Sequence, residues 1–208
     1  MMATDQKIDL FFKNPAQESD GSIQGVLSLL RREVQDCFIG KVVPEDQVIA
    51  ESQKDRHRLF ATVMVIMAGI DLLAKFYAGS DENGGVGSRI RTFAREFVFT
   101  GLPSAQLFSE VLYEGCRNPM LHSFALQNKR FKMTLMQGFA HGVLRRVKGQ
   151  PDWFVLSVEG LYVAFVQAVK AYEVQVRTDP QTQEKFARMF EDYGSIGMQS
   201  YHVEPVSA

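Results

Sequence analysis

Cysteine is nearly absent from this chain of 208 residues: Cys37 and Cys116 stand far apart, outside any CxxC pair or Cys/His cluster. That excludes a disulfide framework and supplies no ligand pattern for zinc, so neither a metal nor another cofactor is expected. A reducing, cytoplasmic setting fits such a composition. Long hydrophobic runs are scarce as well. The longest, Leu59 to Ile70, falls short of the roughly 20 residues that cross a bilayer. The N-terminus lacks the charged-then-apolar pattern of a leader, so no membrane is expected among the partners. Neither sign of charge dominates. With a net charge of −1 and a pI of about 6.4 there is no global basic footprint, and any contact with nucleic acid has to be local. The glycine-rich stretch Gly79 to Ser88 follows a helical run and has no Gly-Lys-Ser/Thr ending, so it reads as a connector and not as a phosphate loop.

What is present is the material of a core. Hydrophobic residues at 46% and charged residues at 23% are the balance of a globular chain, long enough for one domain. The first twenty residues are polar apart from Ile8, Leu10, Phe11 and Phe12 and read as a loose arm. Within it, QKIDLFF (Gln6 to Phe12) resembles the short peptides that dock on replication sliding clamps; packing of the two phenylalanines on the core is the alternative. Ile23, Val26, Leu27, Leu30, Val34 and Cys37 then form a helical stripe, capped at Asp20 or Ser22 and ended by Gly40, with Arg31, Arg32, Glu33 and Asp36 on the solvent side. Pro44-Glu45-Asp46 opens a helix running to Ala78. From Leu59 to Phe76 its apolar residues cover nearly the whole circumference, which predicts the central, buried helix. Asp71 in that setting needs a partner: Lys75 one turn on, an arginine, or backbone donors. Ser88 caps a short helix from Arg89 to Phe99, on whose outer side Arg91 and Arg95 either bind phosphates or face solvent.

The stretch from Ser104 to Gln127 combines a helical pattern, an interruption, and chemistry at the interruption. Leu107, Phe108, Val111 and Leu112 recur at helical spacing, Asn118-Pro119 breaks the run, and Met120, Leu121, Phe124 and Leu126 resume it. Either one helix ends near Cys116 and another starts with Asn118 as cap and Pro119 at its first position, or a single helix is kinked at Pro119. Arg117 and His122 flank the bend in both cases. Histidine titrates near neutrality, which suits proton transfer, and the guanidinium fork matches phosphate oxygens two at a time. On a straight helix, positions five apart point about 140° away from each other, so the pair needs the bend or a second chain to face one phosphate.

Arg117-Asn118-Pro119-Met120-Leu121-His122 is an R-x4-H motif with a polar residue directly after the arginine, and it resembles the signature of the HEPN family (higher eukaryotes and prokaryotes nucleotide-binding). The likeness runs from about Gln47 to Arg177: a long apolar helix upstream, and the motif in a later helix followed by Ser-Phe. The resemblance implies a homodimer whose cleft lies at the interface. It also implies metal-independent endoribonuclease activity, in the manner of the family's toxins and defence effectors, with RNA as substrate and an antitoxin or other protein as a further partner. In that picture Arg117 stabilises the phosphate, His122 handles protons, and Asn118 either caps the helix or orients the phosphate. Asp71 either orients Arg117 or is a structural acid. The rival reading is a non-catalytic helical module for dimerisation, partner or nucleotide binding.

After the motif the period changes to two. Phe131, Met133 and Leu135 alternate with polar neighbours, as do Phe154, Leu156 and Val158, and a third strand fits between His141 and Val147. Arg145, Arg146 and Lys148, with Trp153 close by, either hold single-stranded RNA or flank a turn. Helical spacing returns over Glu159 to Arg177, and Asp179-Pro180 starts a last helix ended by Gly194. The expectation is a mainly α, single-domain antiparallel bundle of about five or six helices with a small antiparallel β-hairpin or meander inserted. The helical HEPN-like domain covers 21–194, the β insertion lies near 130–158, and a tail follows over 195–208.

Overall fold

The computed structural model describes residues 2–17, 25–39, 59–82, 85–119, 130–136 and 142–195. The expected caps at Asp20 or Ser22, the stop at Gly40, the start at Pro44 and the tail beyond Ser195 lie outside the described residues.

The loose arm is not loose where it is described. Thr4–Phe12 forms helix α1, which buries Lys7, Ile8, Phe11 and Phe12 along one stripe. The Phe11 ring lies 4.4 Å from Phe76 and 5.3 Å from Phe186, centroid to centroid, so both phenylalanines serve as core and not as a docking peptide. Lys7 is buried beside them and its ammonium pairs with Glu191.

Helix α2 (Val26–Ile39) turns a different face inward from the one its apolar stripe suggests: Leu27, Ser28, Arg31, Val34, Gln35 and Phe38 are the buried positions. Arg31, expected in solvent, is the cause. Its Nη1 donates to the carbonyls of Phe12 at 2.9 Å and Lys13 at 3.2 Å, at the end of α1. Carbonyls at a helix C-terminus lack intrahelical donors and attract cations, and the aliphatic stem packs while the fork reaches them.

The apolar helix is α3 (Leu59–Ala78). Its 20 residues and mean hydropathy of 2.0 are enough to span a bilayer by length and composition, more than the run to Ile70 alone suggests. Here it is the packed centre, touching α2 and the helices that follow. It stops at Gly79 (φ 68°), where the N–H of Ser80 reaches back to the Lys75 carbonyl at 3.3 Å, a bond that needs the left-handed turn glycine permits. Helix α4 (Val86–Phe93) begins three residues earlier than expected, at Gly85, so Ser88 lies inside its first turn and caps nothing. A π turn, Ala94–Val98, extends it.

Among the described residues, three short strands follow α5 (Ala105–Val111) and its extension: β1 (Lys132–Met136), β2 (Leu144–Arg146) and β3 (Trp153–Ser157). β2 and β3 are the antiparallel hairpin, while β1 lies parallel to β3 on its other edge, giving the order β1-β3-β2 in place of a meander's 1-2-3. Gly115 helps seat β1: a Cβ there would stand only 3.2 Å from Phe131 and 3.3 Å from Met133.

Helix α6 (Val158–Thr178) starts under Ser157, whose Oγ accepts from the Gly160 N–H at 3.0 Å. Helix α7 (Pro180–Tyr193) starts as its sequence says: Asp179 caps the Thr182 N–H at 2.9 Å, Pro180 stands first, and Gly194 follows the end. Buried side chains from all these helices and the sheet join one core, and the fold is mainly α with a small β insertion.

Candidate functional site

The motif helix is continuous where it is described. α5 passes into a second π turn, Leu112–Arg117, and helical backbone goes on through Asn118 and Pro119. Asn118 has φ −66° and ψ −51°, and its N–H donates to the Tyr113 carbonyl five residues back. An N-cap needs extended backbone, so Asn118 caps nothing and no helix ends near Cys116; the residues past Pro119, where a kink would show, lie outside the described residues. The widened turn has a physical reason. Proline lacks an N–H and crowds the carbonyl four residues back, and an i→i−5 turn just upstream relieves that crowding. Asn118 is exposed and Pro119 buried.

Arg117 ends the π turn and leans on α3. Its Nη2 donates to Asp71 Oδ2 at 2.8 Å, with side-chain exposures of 15% and 20%. Asp71 therefore takes the arginine, while Lys75, one turn further along α3, sits over the Tyr193 ring at 4.9 Å from its centroid. The pair is not saturated: Arg117 Nε and Asp71 Oδ1 are buried and have no hydrogen-bond partner among the described residues.

Tyr113, one turn before Arg117, brings α4 into the same site. Its ring lies under two guanidinium groups, 5.1 Å from Arg91 and 5.9 Å from Arg117 to the centroid. The ring presses on the first turn of α4, where a Cβ on Gly87 would be 2.9 Å from it. Glu114 lies 3.9 Å from Arg91 and 3.8 Å from Arg130, and Arg130 reaches Glu110 at 3.2 Å. Among the described residues, Arg91, Arg117 and Arg130 thus face Asp71, Glu110 and Glu114. Cys116, beside Arg117, plays no nucleophilic part: full burial pushes its thiol up to about 12.

Of the other residues singled out in the sequence, Arg91 joins the site and Arg95 does not. Arg95 Nε donates to Glu96 at 3.0 Å and its Nη1 to Gln106 at 3.3 Å. Arg145 and Arg146 stand on β2, the edge of the sheet opposite β1, and it is β1 that packs on the π turn. Arg146 covers Phe154, and Trp153 ties the sheet by donating to Thr134 Oγ1 at 3.2 Å. His122 lies outside the described residues. Tyr113, Glu114 and Arg130 were missed in the sequence. The Tyr113-x3-Arg117 spacing was the one available signal, because residues four apart share a helix face. A separate cleft of about 590 Å³, lined by Lys13, Arg31, Lys170 and Arg177 among others, contains none of the residues singled out for chemistry.

No family model, no curated protein and no solved structure matches this chain. The likeness drawn from the R-x4-H motif rests on the residues themselves.

Proposed function

We propose that the chain is a metal-independent endoribonuclease of the HEPN type, acting at an RNA phosphate in a cleft between two copies. In this reading the ribose 2′-OH attacks the neighbouring phosphate while His122 accepts its proton. The bond from phosphorus to the 5′-oxygen breaks to leave a 2′,3′-cyclic phosphate and a 5′-hydroxyl that takes its proton from water or from the protonated histidine, and Arg117 meets the charge that builds on the phosphate oxygens. The observation that carries the reading is the hold on Arg117: its Nη2 donates to Asp71 Oδ2 at 2.8 Å while Tyr113 lies against the fork. A guanidinium has five N–H groups, so one contact to Asp71 leaves donors for phosphate. Asn118 is exposed beside it and does not cap the helix, and in this reading it orients the phosphate. A twofold axis beside this helix would gather two copies of Arg117 and His122 into one groove.

The second reading, a non-catalytic helical module, is favoured by the ion pair itself, since Arg117 then serves to join α3 to the motif helix. One assay separates the two. Purified protein is incubated with single-stranded RNA in chelator, beside Arg117→Ala and His122→Ala, with folding checked by circular dichroism. Loss of a stabilising donor at the reacting phosphate lowers kcat by about 10²–10³-fold, and both variants are expected to fall at least that far. Full cleavage by both variants, or none by the parent across RNAs of varied sequence, removes the ribonuclease reading and leaves the module.

A further inference from the structure

The outer face of the sheet is basic and carries an aromatic ring. Side chains alternate between the two faces of a strand, and residues directly opposite across a ladder share a face. The pairs Lys132 with Trp153, Thr134 with Val155 and Arg145 with Val155 therefore put all five residues on one side of the sheet. The other side holds Met133, Leu144, Phe154 and Leu156, which are buried in the core. Lys132, Thr134 and Arg145 are exposed, and Trp153 and Val155 half-buried, so the first side faces solvent.

Charge in this unit is lopsided. Over 130–136 and 142–157 the basic residues are Arg130, Lys132, Arg145, Arg146 and Lys148, and Asp152 is the one acid. Glu110 and Glu114 take Arg130, whereas Lys132, Arg146 and Lys148 form no ion pair among the described residues, with Asp152 or any other acid. The Lys132 ammonium lies instead 5.9 Å over the Trp153 ring, and the Arg146 guanidinium 5.5 Å over Phe154. Trp153 Nε1 donates to Thr134 Oγ1 at 3.2 Å, which draws the indole across β1 and holds it there. Two clefts border the ring. One of about 280 Å³ touches Lys132 and Trp153, the other of about 340 Å³ touches Arg146 and Lys148, and they share Gly149, Gln150 and Pro151. The turn between them needs Gly149 (φ 78°), and closes with the Gln150 N–H on the Val147 carbonyl at 3.1 Å.

We propose that this face binds a single strand of nucleic acid, with a base against the Trp153 ring and phosphates against Lys132, Lys148 and Arg146 around the turn. Every base has a π face and every linkage a phosphate, so such a surface takes a strand without demanding a sequence. In a duplex the base faces stack on one another, so the ring selects single strands. An anionic bilayer would match the charge, but an interfacial anchor inserts apolar side chains, and Trp153 is held to Thr134 and half-buried. Stacking asks only for a ring face. This surface goes beyond the ribonuclease reading and does not depend on Arg117 or on cleavage.

Trp153 is the chain's single tryptophan, so its fluorescence reports on this face alone. The probe is oligodeoxythymidylate, which lacks the 2′-OH that cleavage requires. Binding to the full chain is followed by quenching of Trp153 and by anisotropy of a labelled strand. Inorganic polyphosphate supplies the charge without bases, and vesicles of phosphatidylserine and phosphatidylcholine supply an anionic bilayer. The strand is expected to quench saturably and to bind about tenfold or more tighter than polyphosphate, a gap of the size that base stacking on an aromatic ring produces. Each phosphate contact to a single strand contributes about 0.7 to the salt slope of log K, so Lys132→Gln with Lys148→Gln is expected to flatten that slope by about 1.4. Trp153→Leu is expected to weaken the affinity read by anisotropy about tenfold. No saturable quenching, a slope unchanged in the double variant, polyphosphate bound as tightly as the strand, or binding to vesicles and not to the strand would each overturn the proposal. If Trp153→Leu does not fold, quenching of the parent and the lysine variant decide. A chain that binds the strand but cleaves no RNA keeps this surface and loses the ribonuclease, and cleavage without quenching does the reverse.

Discussion

Replacing Asp71 by asparagine keeps the shape of the side chain and one acceptor oxygen while removing the charge opposite Arg117. Two unit charges about 4 Å apart attract by about 4 kcal/mol at an effective dielectric near 20, and desolvation of both groups offsets part of that. Exposed pairs yield about 0–1 kcal/mol, whereas removing one partner of a buried pair costs about 3–5 kcal/mol. Exposures of 15% and 20% put this pair between those limits. Asp71→Asn is therefore expected to cost about 2 kcal/mol in urea unfolding, and a double-mutant cycle with Arg117→Gln to return a coupling of about 1–2 kcal/mol. Under the ribonuclease reading the same variant lowers kcat by about 10–100-fold with KM little changed. It should have no further effect in an Arg117→Ala background, because a residue acting through the arginine has nothing left to position. A coupling within about 0.3 kcal/mol of zero would show that the pair does not hold Arg117, and the reasoning built on that contact would fall.

Phe11→Ala, which empties a site ringed by Phe12, Phe76, Phe186 and Phe190, should cost about 3–5 kcal/mol in guanidinium unfolding; a loss below about 1 kcal/mol would restore the loose arm. Gly69→Ala should destabilise by about 1–3 kcal/mol through overpacking, since a Cβ there meets the buried Phe165 ring at 2.6 Å. An exposed helical glycine gains about 1 kcal/mol from the same change, so a raised midpoint would contradict the close approach of α3 and α6. Cys116, pushed up to about 12 by burial, should be alkylated by iodoacetamide about 10³-fold more slowly at pH 8 than an ordinary thiol of pKa near 8.5, as read by peptide mass spectrometry. The raised value also gives a sign: the folded chain keeps a proton that the unfolded chain loses, so this contribution to stability is intact below about pH 8.5 and declines as pH rises toward 12.

Helices whose stripe is both apolar and capped were legible in the chain. α6 and α7 fall within a residue or so of the spans read from periodicity and from Asp179-Pro180, because caps and fixed φ are local properties. α3 was legible as the central helix because a helix apolar on all sides has nowhere else to go. Arg31 was not. Charge predicts solvent unless distant acceptors are known, and the carbonyls that take it belong to α1. The position of β1 was hidden for a similar reason: alternation reports which face is buried, and the partner strand depends on what packs beneath, here Gly115. At the site, the sequence offered Asp71, in one of two readings, as a residue that orients Arg117, and offered Arg91 separately. Tyr113, which touches both arginines, went unnoticed because an aromatic at helical spacing reads as core.

Amino-acid order settled the local matters: which stretches wind into helices, which alternate as strands, where Asp179 and Gly79 start and stop them, and which helix must lie in the middle. Those follow from backbone sterics, periodic burial and hydrogen bonds between near neighbours, all of them short in range. Assembly settled the partners. Asp71 chose Arg117 over Lys75, and Arg31 turned inward to the end of α1. Each of those outcomes depends on groups remote in the chain coming within about 3 Å of each other. An ionic or hydrogen-bonded contact falls off steeply with distance, so it is decided only after packing has placed both ends.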